Sequence, residues 1–315
     1  MEKMEDFETE RTPDDIMKEA LDIGLKDFYV AYSGGKDSGI VLDYVAKEFP
    51  KYFRGVLFIN TGIGTDETLN FIKEYCKERK YPLHVVRPED VKRVRKTKVG
   101  NPGEVYSYEK LVLRYGFPQQ GFHTITMRHL KYFPMRKFIK DRIKDGEKPC
   151  IVGGIRKNES KRRKMKWKKY LYNDGKMWFV SPLFFKSNDW VYKYFIENDI
   201  KRSPVYDTLH ISGDCLCGCF AQSGELEALR MFHPEVYEKI RKIEKKLQTC
   251  GTDKAKKNPT WGVFKQSTIK SNDEIEQLVC NECFFDKDAV DEDNKRFDTE
   301  WDEIEEKFKG VKLPK

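Results

Sequence analysis

The chain has 315 residues, 39% of them hydrophobic and 36% charged, and 60 Lys and Arg against 52 Asp and Glu give a formal net charge of +8. That length suits one large domain or two modest ones, and the apolar share is enough for a real core. A membrane-spanning helix is excluded, because no apolar run approaches the roughly 18 residues a span needs, while the positive excess points to an anionic partner such as a nucleotide or nucleic acid. The acidic start, Met1 to Asp15, lacks a signal-peptide core and predicts a cytoplasmic protein. In a reducing cytoplasm the 8 cysteines, several of them clustered, suggest metal or redox chemistry rather than disulfides.

In chain order, Thr12-Pro13 followed by Asp14 and Asp15 predicts a short helix over 13–25. Phe28 to Tyr32 is aromatic and β-branched and reads as a buried strand. Ser33-Gly34-Gly35-Lys36-Asp37-Ser38 is a glycine-rich turn, and apolar spacing from Gly39 opens a helix. Strand, glycine loop and helix together make a phosphate-binding construction. Gly34 and Gly35 are expected to take backbone angles closed to other residues, and the helix's first amides face the anion. Gly55 to Asn60 is a second strand ending in Thr61-Gly62, with Thr65 or Asp66 capping a helix to about Lys80. Leu83 to Val86 is a third strand. Residues 88–125 show no clear period and read as a flap over the site. Met127 to Lys144 is helical, Cys150 to Ile155 and Trp178 to Leu183 are further strands, and Ser187 starts a helix to about Glu197. A helix follows around Glu225–Leu247. The alternation of strands and helices predicts an α/β fold with a parallel sheet and helices on both faces. Ligands of such sheets bind beyond the carboxyl ends of the strands.

The hexapeptide Ser33–Ser38 resembles the signature of the PP-loop ATP pyrophosphatase superfamily; the Walker spacing is absent. Further motifs, in order, resemble its phosphoadenosine phosphosulfate (PAPS) reductase-like branch. These are Leu57 to Gly62 with Glu67-Thr68, then Gly116-Phe117-Pro118, Thr126-x-Arg128-x-Leu130-Lys131 and Pro134. Gly153-Gly154-Ile155-Arg156 with Ser160, Arg162 and Arg163 follows, then Ser181-Pro182-Leu183, Trp190, Ser203 to Tyr206, and Ser212 to Cys215. Asn60 stands where the branch usually has aspartate, and Ile125 where it usually has cysteine. The resemblance implies a Rossmann-like (HUP-type) sheet followed by a cysteine-rich, mainly helical region. The expected division is 1–205 for the nucleotide-binding domain, 206–285 for the cysteine region and 286–315 for an acidic tail.

Lys36, Asp37 and Arg156 are the expected catalytic residues. Ser33, Gly34, Gly35, Ser38, Thr61, Gly62, Arg128, Lys131, Gly153, Gly154, Ser160 and Arg162 complete the expected nucleotide contacts. Backbone amides and cations stabilise the charge that develops on departing pyrophosphate, and the guanidinium of Arg156 suits a bidentate phosphate contact. Asp37 either orients Mg2+ or caps its helix. In Lys161 to Tyr170, cations interleave with Trp167 and Tyr170, an arrangement that stacks on a base or simply solvates a loop. Cys215, Cys217, Cys280 and Cys283 form a metal set with Cys219 in reserve as ligand or sulfur carrier. Zinc and an iron–sulfur cluster both fit, and the family's sulfur chemistry favours a 4Fe–4S cluster. Cys76 and Cys150 sit in core patterns.

The expected activity is ATP-dependent adenylylation coupled to sulfur transfer, with tRNA or DNA as a plausible acceptor, a sulfur- or electron-donor protein as partner, and a homo-oligomeric state. The intact Lys36 and Asp37, and the absence of a Glu-Cys-Gly-(Leu/Ile)-His tail, favour ATP over PAPS or adenylyl sulfate. The alternatives are a sulfonucleotide reductase that releases sulfite, and a nucleic-acid-binding module with a regulatory nucleotide site.

Overall fold

The computed structural model describes residues 11–93, 101–119, 123–157, 169–175, 177–221 and 224–262. Six strands form one sheet in the order β3-β2-β1-β4-β6-β5. They are β1 (Asp27–Ala31), β2 (Phe53–Ile59), β3 (Leu83–Val86), β4 (Pro149–Val152), β5 (Leu171–Asn173) and β6 (Trp178–Val180). All pairings are parallel except β5 with β6. This is the α/β, Rossmann-like sheet that the strand–helix alternation predicts. The five strands expected from sequence are present. The sixth, β5, is an antiparallel edge strand of three residues, too short to show a period of its own.

The apolar run of β1 is explained by its place. It lies between β2 and β4, and Phe28 and Val30 are fully buried. The chain crosses from the β1–β2–β3 side to β4 at this point, so the loops after β1 and β4 leave the same crevice. Helices α1 (Pro13–Asp22) and α3 (Asp66–Glu78) begin where their caps predict, whereas α2 (Lys36–Glu48) begins three residues before the apolar spacing from Gly39. Thr12 and Asp15 form a reciprocal capping box, and the Thr65 hydroxyl accepts from the Thr68 amide at 3.2 Å. Cys76 and Cys150 are core residues, as their patterns imply.

The stretch expected to lack a period contains α4 (Tyr108–Tyr115). Its apolar signal is only Tyr108, Leu111 and Val112, the buried face of two turns. A π-helical turn, Arg128–Tyr132, precedes α5 (Phe133–Lys144). Pro134 has no amide to give Leu130, and Phe133 reaches back to the Arg128 carbonyl instead, so the helix widens there. Helix α6 (Asn188–Glu197) is capped by Ser187. The single helix expected near 225–247 is two, α7 (Glu225–Phe232) and α8 (Pro234–Cys250), because Pro234 ends one and starts the next.

The buried apolar residues gather around three centres. One lies within the sheet and against α1, α2 and α3. A second joins Tyr29, Leu57 and Ile151 of the sheet to Met135 and Ile139 of α5. The third joins Ile63, Tyr108, Val112, Phe117, Leu130 and Val205 to Leu216, α8 and Trp261. It holds the segment 203–219 against the carboxyl edge of the sheet. Among the described residues no helix is long and apolar enough to cross a membrane.

Candidate nucleotide and thiol site

The loop from Ser33 to Ser38 closes on itself. The Ser38 hydroxyl lies 3.1 Å from that of Ser33 and donates to the Gly35 carbonyl at 3.0 Å. Gly34 has φ +82, a conformation that L side chains rarely adopt. Gly35 differs from expectation. As the cap of α2 it has φ −90, which any residue can take. Space there is tight instead: a Cβ would stand 3.2 Å from the Tyr206 hydroxyl and 3.3 Å from Ser33 Oγ. No side chain caps α2, so its first amides face the rim of the sheet.

Three neighbours fix the loop. Gly154, beyond β4, packs so closely that a Cβ would lie 2.9 Å from the Asp37 carbonyl carbon. Arg156 is 3% exposed, and its Nε donates to Asp37 Oδ2 at 3.2 Å while Nη1 donates to Asn188 Oδ1 at 2.6 Å. It therefore sits beneath the loop as well as beside it. The other oxygen, Asp37 Oδ1, is buried without a hydrogen-bond partner. The Lys36 ammonium lies 3.4 Å from the centroid of the Tyr192 ring.

The segment 203–219 makes the rest of the site. Ser203 donates its amide to Gly34 at 2.8 Å, and a Cβ on Gly35 would lie 3.6 Å from that of Ser212. The carbonyls of the turn are then tied off one by one. Thr68 Oγ1 donates to Ser212, the Thr65 amide to Gly213, Thr61 Oγ1 to Asp214, Trp261 Nε1 to Leu216 and the Tyr108 hydroxyl to Cys217. The Leu216 amide returns a bond to Ile63 at 3.0 Å. Five donors from three separate stretches of chain thus hold one short turn, a preorganised support.

That turn carries three thiols in a row. Cys215 is hydrogen-bonded to Cys217, and Cys217 to Cys219. The bond with Cys217, followed by burial, pushes the Cys215 thiol well up. Cys217 is lowered by its bond with Cys215, but the bond with Cys219 and burial outweigh this and leave it at about 12. Cys219 is buried and donates to Thr126 Oγ1 at 3.7 Å. Lys131 Nζ donates to Asp214 Oδ2 at 2.7 Å, and Ser212 Oγ to Asp214 Oδ1 at 2.8 Å. Burial works against the Lys131 charge, yet Asp214 and then Cys215 raise its pKa above the ordinary lysine value.

The structure thus brings Ser33, Gly34, Gly35, Lys36, Asp37, Ser38, Thr61, Gly154, Arg156 and Lys131 into one neighbourhood with Cys215 and Cys217. Thr61 is fully buried, and Gly62 gives its amide to Asn60 Oδ1 at 3.0 Å. Asn60 therefore closes a local turn. Arg128 is exposed on the π-helical turn. Of the two readings of Lys161 to Tyr170, the stacking one has Trp167 or Tyr170 offer a face to a base. The Tyr170 ring instead packs against Phe184 and Phe185, and its hydroxyl donates to Glu19 at 3.0 Å. Ser160, Arg162, Trp167, Cys280 and Cys283 lie outside the described residues. Among the described residues no three His, Cys, Asp or Glu side chains are arranged to hold a metal ion. The donor chemistry of Cys215 and Cys217 suits a soft metal or cluster, with Cys280 and Cys283 as the further ligands to be tested.

Asp214, Asn188, Tyr192, Tyr108 and Trp261 are missing from the expected site. Asp214 had a signal in sequence, a carboxylate beside a cysteine in a Ser-Gly turn. The others are aromatic or amide residues in ordinary helical or irregular stretches, and no spacing sets them apart.

Residues 27–223 match the family described as the phosphoadenosine phosphosulfate reductase domain. No curated protein matches the chain. Among solved structures the chain is similar to a phosphoadenylyl-sulfate reductase from Candida auris in a phosphate complex. Identity is 16%, 63% of this chain and 85% of that one are covered, and the TM-score is 0.43. It is also similar to a U34-tRNA thiolase from Methanococcus maripaludis with its 4Fe–4S cluster, at 15% identity over 87% and 89% of the two chains, TM-score 0.40. A third likeness is to FMN adenylyltransferase from Candida glabrata with FMN and an ATP analogue, at 17% identity, 58% and 52% coverage and TM-score 0.32.

Proposed function

The chain belongs to the phosphoadenosine phosphosulfate reductase domain family, and from that premise we propose that it is a nucleotide-dependent enzyme of sulfur chemistry, an ATP-consuming adenylyltransferase and sulfurtransferase. The observation that supports this reading most is the seating of the thiol turn on the glycine loop. Ser212 stands beside Gly35, and Asp214 and Cys215 follow within three residues. A nucleotide held by Ser33–Ser38 therefore has its phosphates close to the thiols.

In the first step an oxygen of the acceptor attacks the α-phosphorus of ATP. A new O–P bond forms, the bond to the β-phosphate bridge breaks, and pyrophosphate leaves with the electron pair. The α2 amides and Lys36 stabilise the charge that develops on it. Arg156 holds Asp37 in place, and Asp37 Oδ1 is the carboxylate oxygen suited to Mg2+ carried by the nucleotide. In the second step a sulfide-level sulfur from a donor forms a C–S bond at the activated carbon. The C–O bond breaks and AMP departs, with no net oxidation. An iron–sulfur cluster on Cys215, Cys217, Cys280 and Cys283 would supply a place to hold that sulfur or a route for electrons. A nucleic acid such as tRNA or DNA is the acceptor class that suits the net charge of +8.

The second reading is sulfonucleotide reduction, which the three adjacent thiols also suit. Incubation with ATP or with PAPS, assaying pyrophosphate and sulfite together, separates the two. Pyrophosphate from ATP that falls at least about 100-fold in Lys36→Ala supports adenylylation. Sulfite from PAPS without pyrophosphate from ATP overturns it. Iron and zinc analysis of anaerobically purified protein, with and without Cys215→Ser, tests the metal set.

A further inference from the structure

We propose that α6 is the positioning element of the nucleotide site, with Tyr192 directing the Lys36 ammonium and Asn188 directing the Arg156 guanidinium. The inference rests on the reading of Ser33–Ser38 as the nucleotide's phosphate loop and deepens it.

The two cations expected to meet the phosphates come from separate parts of the chain, the start of α2 and the loop after β4. Both are held by one face of α6. Asn188 and Tyr192 are four residues apart, so they stand one above the other on that face. The Asn188 side chain accepts from Arg156 at 2.6 Å, and the Tyr192 ring lies under Lys36 at 3.4 Å. Tyr192 is 4% exposed and Arg156 3%, so solvent screens neither contact well.

A second pair of contacts fixes α6 against α2 farther along. The Tyr194 hydroxyl donates to Asp43 Oδ2 at 3.1 Å, and Lys47 Nζ donates to Asn198 Oδ1 at 3.1 Å. Asp43 is fully buried. This far pair sets the register of the two helices. Given that register, the near pair sets where the cations point. Lysine and arginine have many rotamers, and restricting them before the nucleotide arrives removes an ordering cost from the chemical step. Asn188 and Tyr192 act through the two cations, so they are positioning residues.

Two measurements test the proposal. The first needs no nucleotide. Reductive methylation with labelled formaldehyde keeps lysines charged, and the Lys36 methyl signal is assigned by its loss in Lys36→Arg. An upfield ring-current shift is expected in the wild type and in Tyr192→Phe, and its loss in Tyr192→Leu. A wild-type signal without that shift overturns the proposal whether or not the variants fold.

The second is kinetic, with thermal unfolding run on each variant. Tyr192→Leu and Asn188→Leu are expected to lower kcat for pyrophosphate release about tenfold, with KM for ATP held within about twofold. Tyr192→Phe, which keeps the ring face, and Asn188→Asp, which keeps the acceptor, are expected to rescue it. Leucine variants that turn over at the wild-type rate while the wild type cleaves ATP overturn the positioning role alone. A ring-current shift in a protein that binds neither ATP nor PAPS shows that the nucleotide reading is wrong, and the positioning role falls with it.

Discussion

The glycine loop and the thiol turn face each other across the site, and they are made rigid by opposite means. The loop is stiffened mainly by its own neighbours in sequence. Ser33 and Ser38 pair across five residues, Gly34 supplies the left-handed conformation, and α2 follows at once. The thiol turn has side-chain bonds of its own, from Ser212 to Asp214 and along its thiols, but its backbone is held from outside. Its carbonyls are held by Thr61, Thr65, Thr68, Tyr108 and Trp261, some of them more than a hundred residues away. A phosphate needs a cradle of convergent amides, which a single tight turn provides. A row of thiols has to be kept at one spacing while remaining partly open, and that requires outside supports.

The contrast can be broken most severely at Arg156, the buried ion pair that reaches the loop from a distant part of the chain. Arg156→Ala leaves Asp37 without its ion pair and an unfilled space below it. We expect a loss of about 3–5 kcal/mol in chemical denaturation, and no full recovery in Arg156→Lys, which cannot reach Asp37 and Asn188 in the same fork.

Acid is expected to act next, on the segment that carries Lys131. His129 is 8% exposed and stacks on Tyr106 at 5.2 Å. Burial and then the Arg93 charge lower its pKa from 6.5 to about 4. Between those values the unfolded chain binds the proton and the folded chain does not. Stability is therefore whole above pH 6.5, falls as the pH drops toward about 4, and levels below it, a total of about 3 kcal/mol. His129→Phe should flatten that part of the pH–stability curve while changing stability at neutral pH much less.

Gly64→Ala addresses the seat of the thiol turn on the connection after β2. The new Cβ would lie 2.6 Å from the Asp214 carbonyl oxygen, so the turn must move away from that connection. We expect a cost of about 1–3 kcal/mol and faster alkylation of Cys215 and Cys217. The smallest effect is expected from Trp261→Phe, which keeps most of the packing and removes one donor from the Leu216 carbonyl. A loss of about 1–2 kcal/mol is predicted, again with faster thiol alkylation. Unchanged alkylation in both variants would show that the thiol turn does not depend on its distant supports.

The parts of this protein whose physics is local can be read from the chain alone. The buried run of β1, the Ser-Gly-Gly-Lys-Asp-Ser turn, the caps at Thr12, Thr65 and Ser187, and the core places of Cys76 and Cys150 all follow from neighbours within a few residues. The cysteines were legible as a cluster for the same reason. What these pieces meet was set by the fold. It put Arg156 under Asp37, Tyr192 under Lys36, Tyr170 in a packed aromatic group and the Cys215 turn on Gly35 and Gly64. Such contacts join residues far apart in the chain through burial and hydrogen bonds, and neither leaves a period or a spacing behind. The loop announces itself because its amides must converge within six residues; its supports are free to come from anywhere the fold can bring them.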